Sequence, residues 1–456
     1  MTCSIRGGQR LNRAPMNSTS SSTAAPPIPW LQRWVLVRPG EGAPLLWGAA
    51  YFFFLLMSLY LLRPVREAMG IAQGADKLPW LMTTTLVVML VANPLYAALV
   101  SRVPRKRFIP AVSHFFAVNL LAFAALFALL PEHGGTLLGY VFYVWLSVFN
   151  LFVVSVFWSL MADVFTEDQG KRLFAMIAMG GTFGAVMGAA VTDALTRGQL
   201  GFRMEPAGLS IIAALCLEAA VLCMLRLARR FKLSESGQAN REPGPDFRAG
   251  FKAIMASRYL QTICLYMLLF TITSTFLYLM QGEIVASSFA TRAERTAAFA
   301  RIDVAVNVLT LLLQLLVTSR LLRWIGVSGV LLVLPLLTLA GMGALALLPS
   351  YAVLATVQIL RRGVHYAVDR PAREILYIPL GPEEKYKSKA FIDTFVFRGG
   401  DFLGVWAPTF FAWLAVPVSV AALGSTGVWV GSAAWLGRLV RRRAVPGDKT
   451  FNKEQT

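Results

Sequence analysis

Residues 231–259, "FKLSESGQANREPGPDFRAGFKAIMASRY", are the longest polar interruption in a chain otherwise composed for lipid. Their position decides the fold, because six apolar runs can be drawn on either side. The runs lie near 44–67, 79–100, 108–130, 137–160, 173–195 and 207–227 before the interruption. After it they lie near 259–281, 300–319, 327–348, 351–369, 389–411 and 414–437. Each approaches the roughly 20 residues that cross a hydrocarbon layer about 30 Å thick. Composition agrees: 56% of the 456 residues are hydrophobic and 15% charged, against about 25% charged in soluble domains. The expected fold is an all-α polytopic membrane protein with twelve transmembrane helices in two six-helix bundles.

The expected organisation is a disordered N-terminal tail (1–43), a first bundle (44–230), a linker with a short amphipathic stretch (231–258), a second bundle (259–437) and a basic tail (438–456). The first tail is Pro/Ser-rich and has no apolar core ahead of an A-x-A site, so it reads as a tail and not a cleaved signal. Met16 is an alternative start. The six-plus-six plan is the outline of a major-facilitator transporter, whose halves rock around a site near the midplane.

Loop charge sets the orientation. "SRVPRKR" (101–107), "GKR" (170–172), "RLARRFK" (226–232), "SRLLR" (319–323), "EEKYKSK" (383–389) and "RLVRRR" (438–443) all fall on one side, and "PEHGG" (131–135) on the other. By the positive-inside rule both termini of this multi-pass chain are expected in the cytoplasm. The net charge of +19 is then an orientation signal, and no nucleic-acid partner is expected. Cys3, Cys216, Cys223 and Cys264, with His114, His133 and His365, form no ligand spacing. No metal or cofactor is expected. The short outer loops carry no His/Asp or Ser/His set, so no enzyme is expected either. The partners expected are an anionic small molecule and the bilayer, with the chain acting as a monomer.

Charge inside the apolar runs is the more informative feature, because an ionisable side chain at the bilayer centre costs roughly 2.5–3.5 kcal/mol on insertion scales. "SLYLLRPVREAMGIAQG" (58–74) places Arg63, Arg66 and Glu67 at the end of the first run, with Arg63 and Glu67 four residues apart and able to meet on one helix face. They either snorkel to the outer headgroups or line a cavity where a guanidinium fork receives carboxylate or phosphate. "QILRRGVHYAVDRPAREILYIPL" (358–380) sets Arg362, His365 and Asp369 at helical offsets of three and four, with Arg361 beside them. Arg370 to Glu374 are expected at the cytoplasmic mouth. "KAFIDTFVFRGGDFLGVWAP" (389–408) carries Asp393, Arg398 and Asp401. The last two are i,i+3 neighbours able to neutralise each other, either as a gate or coupling site or as a structural pair. Asp163 stands at the inner end of the fourth run, Glu218 deep in the sixth as either a lone buried acid or a proton site, and Glu283 and Asp303 flank an expected helical outer loop. Gly180, Gly184 and Gly188 recur every fourth residue and predict a close helix–helix contact. "EDQGKRLF…GGTFG" (167–184) and "EEKYKSKAF…RGGDFLG" (383–404) echo one another across the halves.

"YLLRPVREAMG" resembles the first-helix pattern of the nucleotide translocases, the ADP/ATP and NTP/NDP carriers of bacteria and plastids, with Arg63, Arg66 and Glu67 on its charged positions. "EEKYKSKAFID…RGGDFLG" is similar to that family's late segment, which puts Lys385, Lys387, Lys389 and Asp393 on matching positions. The resemblance implies a major-facilitator fold and an anionic cargo. The functional expectation is a secondary transporter for an organic anion such as a nucleotide or other phosphorylated metabolite, working by alternating access. Arg63, Arg66, Arg362 and Arg398 are the candidate cargo contacts, and Glu67, Asp163, Asp393, Asp401 and Lys387 the gating or coupling candidates. The alternative is proton-coupled efflux of a hydrophobic compound, in which acids dominate the cavity and Arg63 is dispensable.

Overall fold

The structure is a computed structural model that describes residues 37–444, apart from 39, 73, 103–104, 131–134, 200 and 231–246. Residues 1–36 of the expected tail, most of the linker and residues 445–456 lie outside the described residues. The long helices are α1 (Gly42–Gly70), α2 (Leu78–Arg102), α3 (Arg105–Leu129), α4 (Gly135–Val164), α5 (Glu167–Arg197) and α6 (Pro206–Arg230). A short α7 (Phe247–Ala256) leads to α8 (Arg258–Ser288), α9 (Arg292–Leu316) and α10 (Thr318–Leu347). Two composite columns follow. One joins α11 (Tyr351–Val364), a π-helical turn at His365–Asp369 and α12 (Arg370–Ile375). The other joins α13 (Pro382–Phe391), a π-helical turn at Ile392–Val396 and α14 (Phe397–Trp413). The last helix is α15 (Val418–Ala444). Ten of these helices are long and apolar enough to cross a membrane. The two π-interrupted columns complete twelve, and no strand occurs among the described residues.

The glycine pattern in α5 does what its spacing predicts. A Cβ on Gly180 would stand 2.6 Å from the Ala49 carbonyl oxygen, and one on Gly188 2.6 Å from that of Met57. At Gly184 it would overlap the Phe53 carbonyl. Thr192 Oγ1 adds a hydrogen bond of 2.9 Å to the Leu61 carbonyl, so α5 lies directly on the backbone of α1. The second half repeats the device: a Cβ on Gly404 would meet Thr275 Cβ at 2.8 Å and Ile272 Cα at 3.0 Å, so α14 lies on α8. The two echoing sequence segments therefore occupy equivalent places, each the close partner of its bundle's first helix.

Each half has its own apolar core. The first gathers Tyr51, Phe52, Phe142, Phe149 and Phe157, and the second Tyr259, Tyr266, Phe270 and Trp429. A third cluster crosses between the halves, with Ala68, Ile71 and Leu78 packed on Phe276, Leu277, Ala298 and Phe299. It lies where α1 ends and α9 begins, which is the end of the bundle away from the two termini. The Arg295 guanidinium donates to the Ile71 carbonyl at 3.4 Å there, and Trp80 meets Trp406 edge-on at 4.9 Å. The halves are thus sealed at that far end, while toward the termini the two bundle cores are separate among the described residues.

One element begins earlier than its hydropathy predicts. The helix expected from residue 300 starts at Arg292, because Thr291 and Glu294 form a reciprocal capping box that satisfies two of the free N–H groups at its start. The expected outer loop is therefore the first turns of α9, and Asp303 is carried into the membrane interior.

At the termini end, α1 is pinned to α5 by a carboxylate outside the spans. Glu41 accepts from Arg172 Nη1 at 3.0 Å and Nη2 at 2.9 Å, and from the Arg38 amide at 2.9 Å. The Arg172 hydrogen bonds hold its carboxyl down from 4.5 to about 2. A depressed folded pKa adds stability above the unfolded value, and that stability disappears as pH falls toward the folded value. Glu41→Gln is accordingly expected to lower the thermal unfolding midpoint above about pH 4.5, with the difference from wild type closing between about pH 4.5 and 2. Equal differences at pH 6 and pH 2.5 would contradict this assignment.

Candidate functional site between the two bundles

The functional side chains come from the helices that meet under the sealed end. Counting back from the far end of each helix at 1.5 Å per residue, Arg63 on α1 and Arg398 on α14 lie roughly 10 and 22 Å deep. Arg63 Nε is 3.6 Å from Asp303 Oδ2, and its Nη1 donates to Tyr60 Oη at 3.1 Å. The same Asp303 accepts from Arg362 Nη2 at 2.7 Å. Asp303 is 5% exposed, so one buried carboxylate from α9 bridges a guanidinium of the first bundle and one of the second.

Glu67 pairs with its sequence neighbour and not with Arg63. Arg66 Nη2 donates to Glu67 Oε1 at 2.5 Å, and Arg66 Nη1 to Ser147 Oγ at 3.0 Å. The Arg66 guanidinium sits 4.7 Å from the centre of the Tyr143 ring. From the other bundle Tyr278 Oη donates to Glu67 Oε2 at 2.6 Å. Tyr143 and Tyr278 hydroxyls are 2.6 Å apart. With the Tyr278 proton on the carboxylate, Tyr143 is the donor of that pair. A polar chain therefore runs from α4 through α1 to α8.

Two adjoining pockets of about 210 and 430 Å³ lie between the halves, together in the range of roughly 300–1,000 Å³ typical of small-molecule sites. Arg63, Glu67, Tyr278, Phe397 and Asp401 line both. The smaller adds Arg361, Arg362, Asp303, Phe270 and Tyr366. The larger adds Arg66, Arg398, Tyr143, Met82, Met89 and Phe402. The four arginines singled out by sequence thus converge on one cavity, and snorkelling to outer headgroups does not describe Arg63 or Arg66. Arg398 and Asp401 make the expected i,i+3 contact at 3.6 Å on the cavity wall.

The remaining candidates are placed elsewhere. Asp163 is exposed at the termini end of α4, and Asp393 is exposed in the π-helical turn of the eleventh column. Lys387 lies on α13, where a Cβ on Gly250 of α7 would stand 2.6 Å from the Lys387 carbonyl. None of these three lines either pocket. Glu218 is neither buried nor central: it meets His114 Nδ1 at 2.8 Å on the outer face of α3 and α6, 42% exposed. Asp369, by contrast, lies fully buried behind the cavity wall. It accepts from Tyr266 Oη at 2.7 Å, faces Arg373 Nε at 3.1 Å and holds the His365 ring at 3.1 Å. The π-helical turn between them adds a residue to the local turn, and His365 stands on the cavity side while Asp369 faces inward.

Tyr278 and Tyr143 were not singled out by sequence, and Asp303 and Arg361 were noted as charges but not assigned to the site. The T-R-A-E box at 291–294 was the available signal for Asp303, since it starts α9 early enough to bury that acid. The two tyrosines carry no signal apart from their aromatic character. Arg361 was visible as half of an Arg–Arg pair, but only packing reveals which of the two turns inward and how far.

No protein-family model matches the chain. In sequence it is similar to ADP,ATP carrier protein 1 of Chlamydia trachomatis serovar D, 21% identical over 295 residues. That match covers 57% of this chain and 56% of the carrier, so the chain spans just over half of that relative's length. It is also similar to ADP,ATP carrier protein 2 of Chlamydia pneumoniae, 22% identical, covering 88% of this chain and 89% of that protein. Among solved structures it superimposes on a bacterial homologue of the human lysosomal transporter Spinster, in an inward-facing and unoccupied conformation. There the TM-score is 0.57 at 14% identity, covering 92% of this chain and 99% of that one. It also matches the nucleoside transporter NupG, with TM-score 0.58 at 12% identity over 88% and 98% of the two chains. The chain has the major-facilitator fold. In that fold the cavity described above sits where the two six-helix bundles face each other near the midplane, and the chain is a multi-pass membrane protein.

Proposed function

We propose that this protein is a secondary transporter that carries an organic anion, such as a nucleotide or other phosphorylated metabolite, by alternating access. The observation that carries the reading is the convergence of Arg63, Arg66, Arg361, Arg362 and Arg398, drawn from both bundles, on one cavity between them. A guanidinium fork donates two parallel hydrogen bonds to carboxylate or phosphate, which a point charge does not. Asp303 and Glu67 pair with Arg63 and Arg66, and an arriving anion takes the place of those carboxylates. Because Asp303 ties Arg63 of one half to Arg362 of the other, exchange of carboxylate for cargo alters the contact on which the halves pivot.

Asp401 beside Arg398 serves as the coupling acid. Asp163 of the first half and Lys387 and Asp393 of the second stand at the termini end, where they close the cavity when the far end opens. The positive loops orient the protein in a bacterial inner membrane with both termini in the cytoplasm, which makes the sealed end periplasmic and the conformation inward-facing.

The test is uptake of labelled ADP, ATP and a panel of phosphorylated metabolites into liposomes bearing the purified protein, loaded or empty. Flux above protein-free vesicles that falls by about tenfold or more in Arg63→Gln is expected, since one lost charge-assisted hydrogen bond is worth about 1.5–3 kcal/mol. Undiminished flux in Arg63→Gln, or no anion flux at all, would overturn the proposal.

A further inference from the structure

The charges lining the cavity do not balance, and the imbalance is concentrated in one place. Among the described lining residues five arginines face three acids, Glu67, Asp303 and Asp401. Arg66 is matched by Glu67 at 2.5 Å and Arg398 by Asp401 at 3.6 Å. That leaves Arg63, Arg361 and Arg362 with the single carboxylate of Asp303, all four lining the smaller pocket. Glu67 and Asp401 also line that pocket but are held by Arg66 and Arg398, so the cavity as a whole keeps two positive charges without an ion-paired acid.

Arg361 is the member of the set that has no carboxylate partner at ion-pair distance among the described residues. It is 5% exposed. Its Nε donates to Thr338 Oγ1 at 3.3 Å, its Nη2 donates to Ser274 Oγ, and its guanidinium carbon lies 5.6 Å from the centre of the Phe270 ring. Those two bonds use two of its five N–H donors and come from hydroxyls on α10 and α8. They hold the plane in place without neutralising it. The acid behind it, Asp369, is held by Arg373 and His365 at 3.1 Å. A buried charge without an acid of its own is costly, and a site that keeps one is built for a partner that arrives from outside.

We propose that the smaller pocket is the seat of a terminal phosphoryl group carrying two negative charges, with Arg361 as its principal donor and Arg63 and Arg362 closing on it from either side of Asp303. The proposal rests on the anion-carrier reading above and narrows its cargo. A carboxylate or a sulfate ester brings one charge and leaves one guanidinium unmatched in low dielectric. A phosphomonoester, or the last phosphate of a nucleotide, brings two near neutral pH because its second ionisation lies near pH 6. The body of the cargo then points into the larger pocket, whose walls of Met82, Leu86, Met89, Tyr143 and Phe402 present apolar and aromatic surface.

The test compares phenyl phosphate, phenyl sulfate and phenol, which share one body and carry two, one and no charges at about pH 7.5. Binding to the full-length purified protein in nanodiscs is measured by calorimetry. Phenyl phosphate is expected to bind at least about tenfold more tightly than phenyl sulfate, and phenol not to compete. Arg361→Gln is expected to erase the preference for phosphate over sulfate, and Arg361→Lys to retain part of it. The wild-type series decides by itself if the glutamine variant does not fold: equal affinity for phosphate and sulfate esters overturns the proposal. If liposome flux of an organic anion persists alongside that equality, the dianion seat fails and the carrier reading stands. If no anion binds or moves, both fail.

Discussion

An Asp303→Asn protein is expected to unfold about 3–5 kcal/mol more easily than wild type when no anion is present, the range for breaking a buried ion pair from one side. Asp303 belongs at that end of the scale because it is 5% exposed and serves two guanidiniums at once, Arg63 at 3.6 Å and Arg362 at 2.7 Å. Its loss leaves three arginines of one small pocket, Arg361 buried and Arg63 and Arg362 half-buried, with no acid of their own. Two controls separate this from general damage. Asp76→Asn removes the partner of Lys77, a pair at 3.0 Å whose side chains are 67% and 53% exposed, and an exposed pair is worth about 0–1 kcal/mol. Addition of inorganic phosphate is expected to restore stability to Asp303→Asn more than to wild type, as ligand that binds only the folded state must. Denaturant unfolding in detergent measures all three. Equal losses in Asp303→Asn and Asp76→Asn would show that the bridge does not hold the halves as described.

The second large effect is expected at Gly184, where any side chain falls on backbone. A Cβ there overlaps the Phe53 carbonyl and lies 2.8 Å from its carbon. Main-chain atoms in the middle of a helix cannot rotate aside, so α1 and α5 must separate along the whole Gly180–Gly188 contact. Gly184→Ala is expected to cost at least the roughly 1–3 kcal/mol of overpacking, and Gly184→Leu more. Gly343 is the matched control, since a Cβ there meets nothing within 4 Å. Gly343→Ala is expected to be neutral or to gain up to about 1 kcal/mol from better helix propensity. Thermal unfolding of the three variants in one detergent reads the difference. A Gly184→Ala protein as stable as Gly343→Ala would remove the close contact from the account.

Apolar run length and loop charge were sufficient to read twelve spans and two bundles, because a helix in lipid must satisfy its own backbone and so declares itself by composition. The same physics makes a charge within a span conspicuous, which is how Arg63, Arg66, Arg362, Arg398 and Asp401 were visible before any contact was known. Glycines at four-residue spacing were legible too, since only a close neighbour explains them.

Pairing was not legible, because it depends on which helices of the two halves come together. Local spacing offered Glu67 to Arg63, but the chain gave Arg63 to Asp303, 240 residues away, and left Glu67 to Arg66 and Tyr278. Glu218, an acid within an apolar run like the others, turned outward to His114. Sequence by itself determined how many helices span the membrane, which helices carry charge and which pack closely, because each is a property of one helix in lipid. Only the tertiary structure decided which arginine kept no acid, since a charge balance is a sum over residues brought together from both ends of the chain.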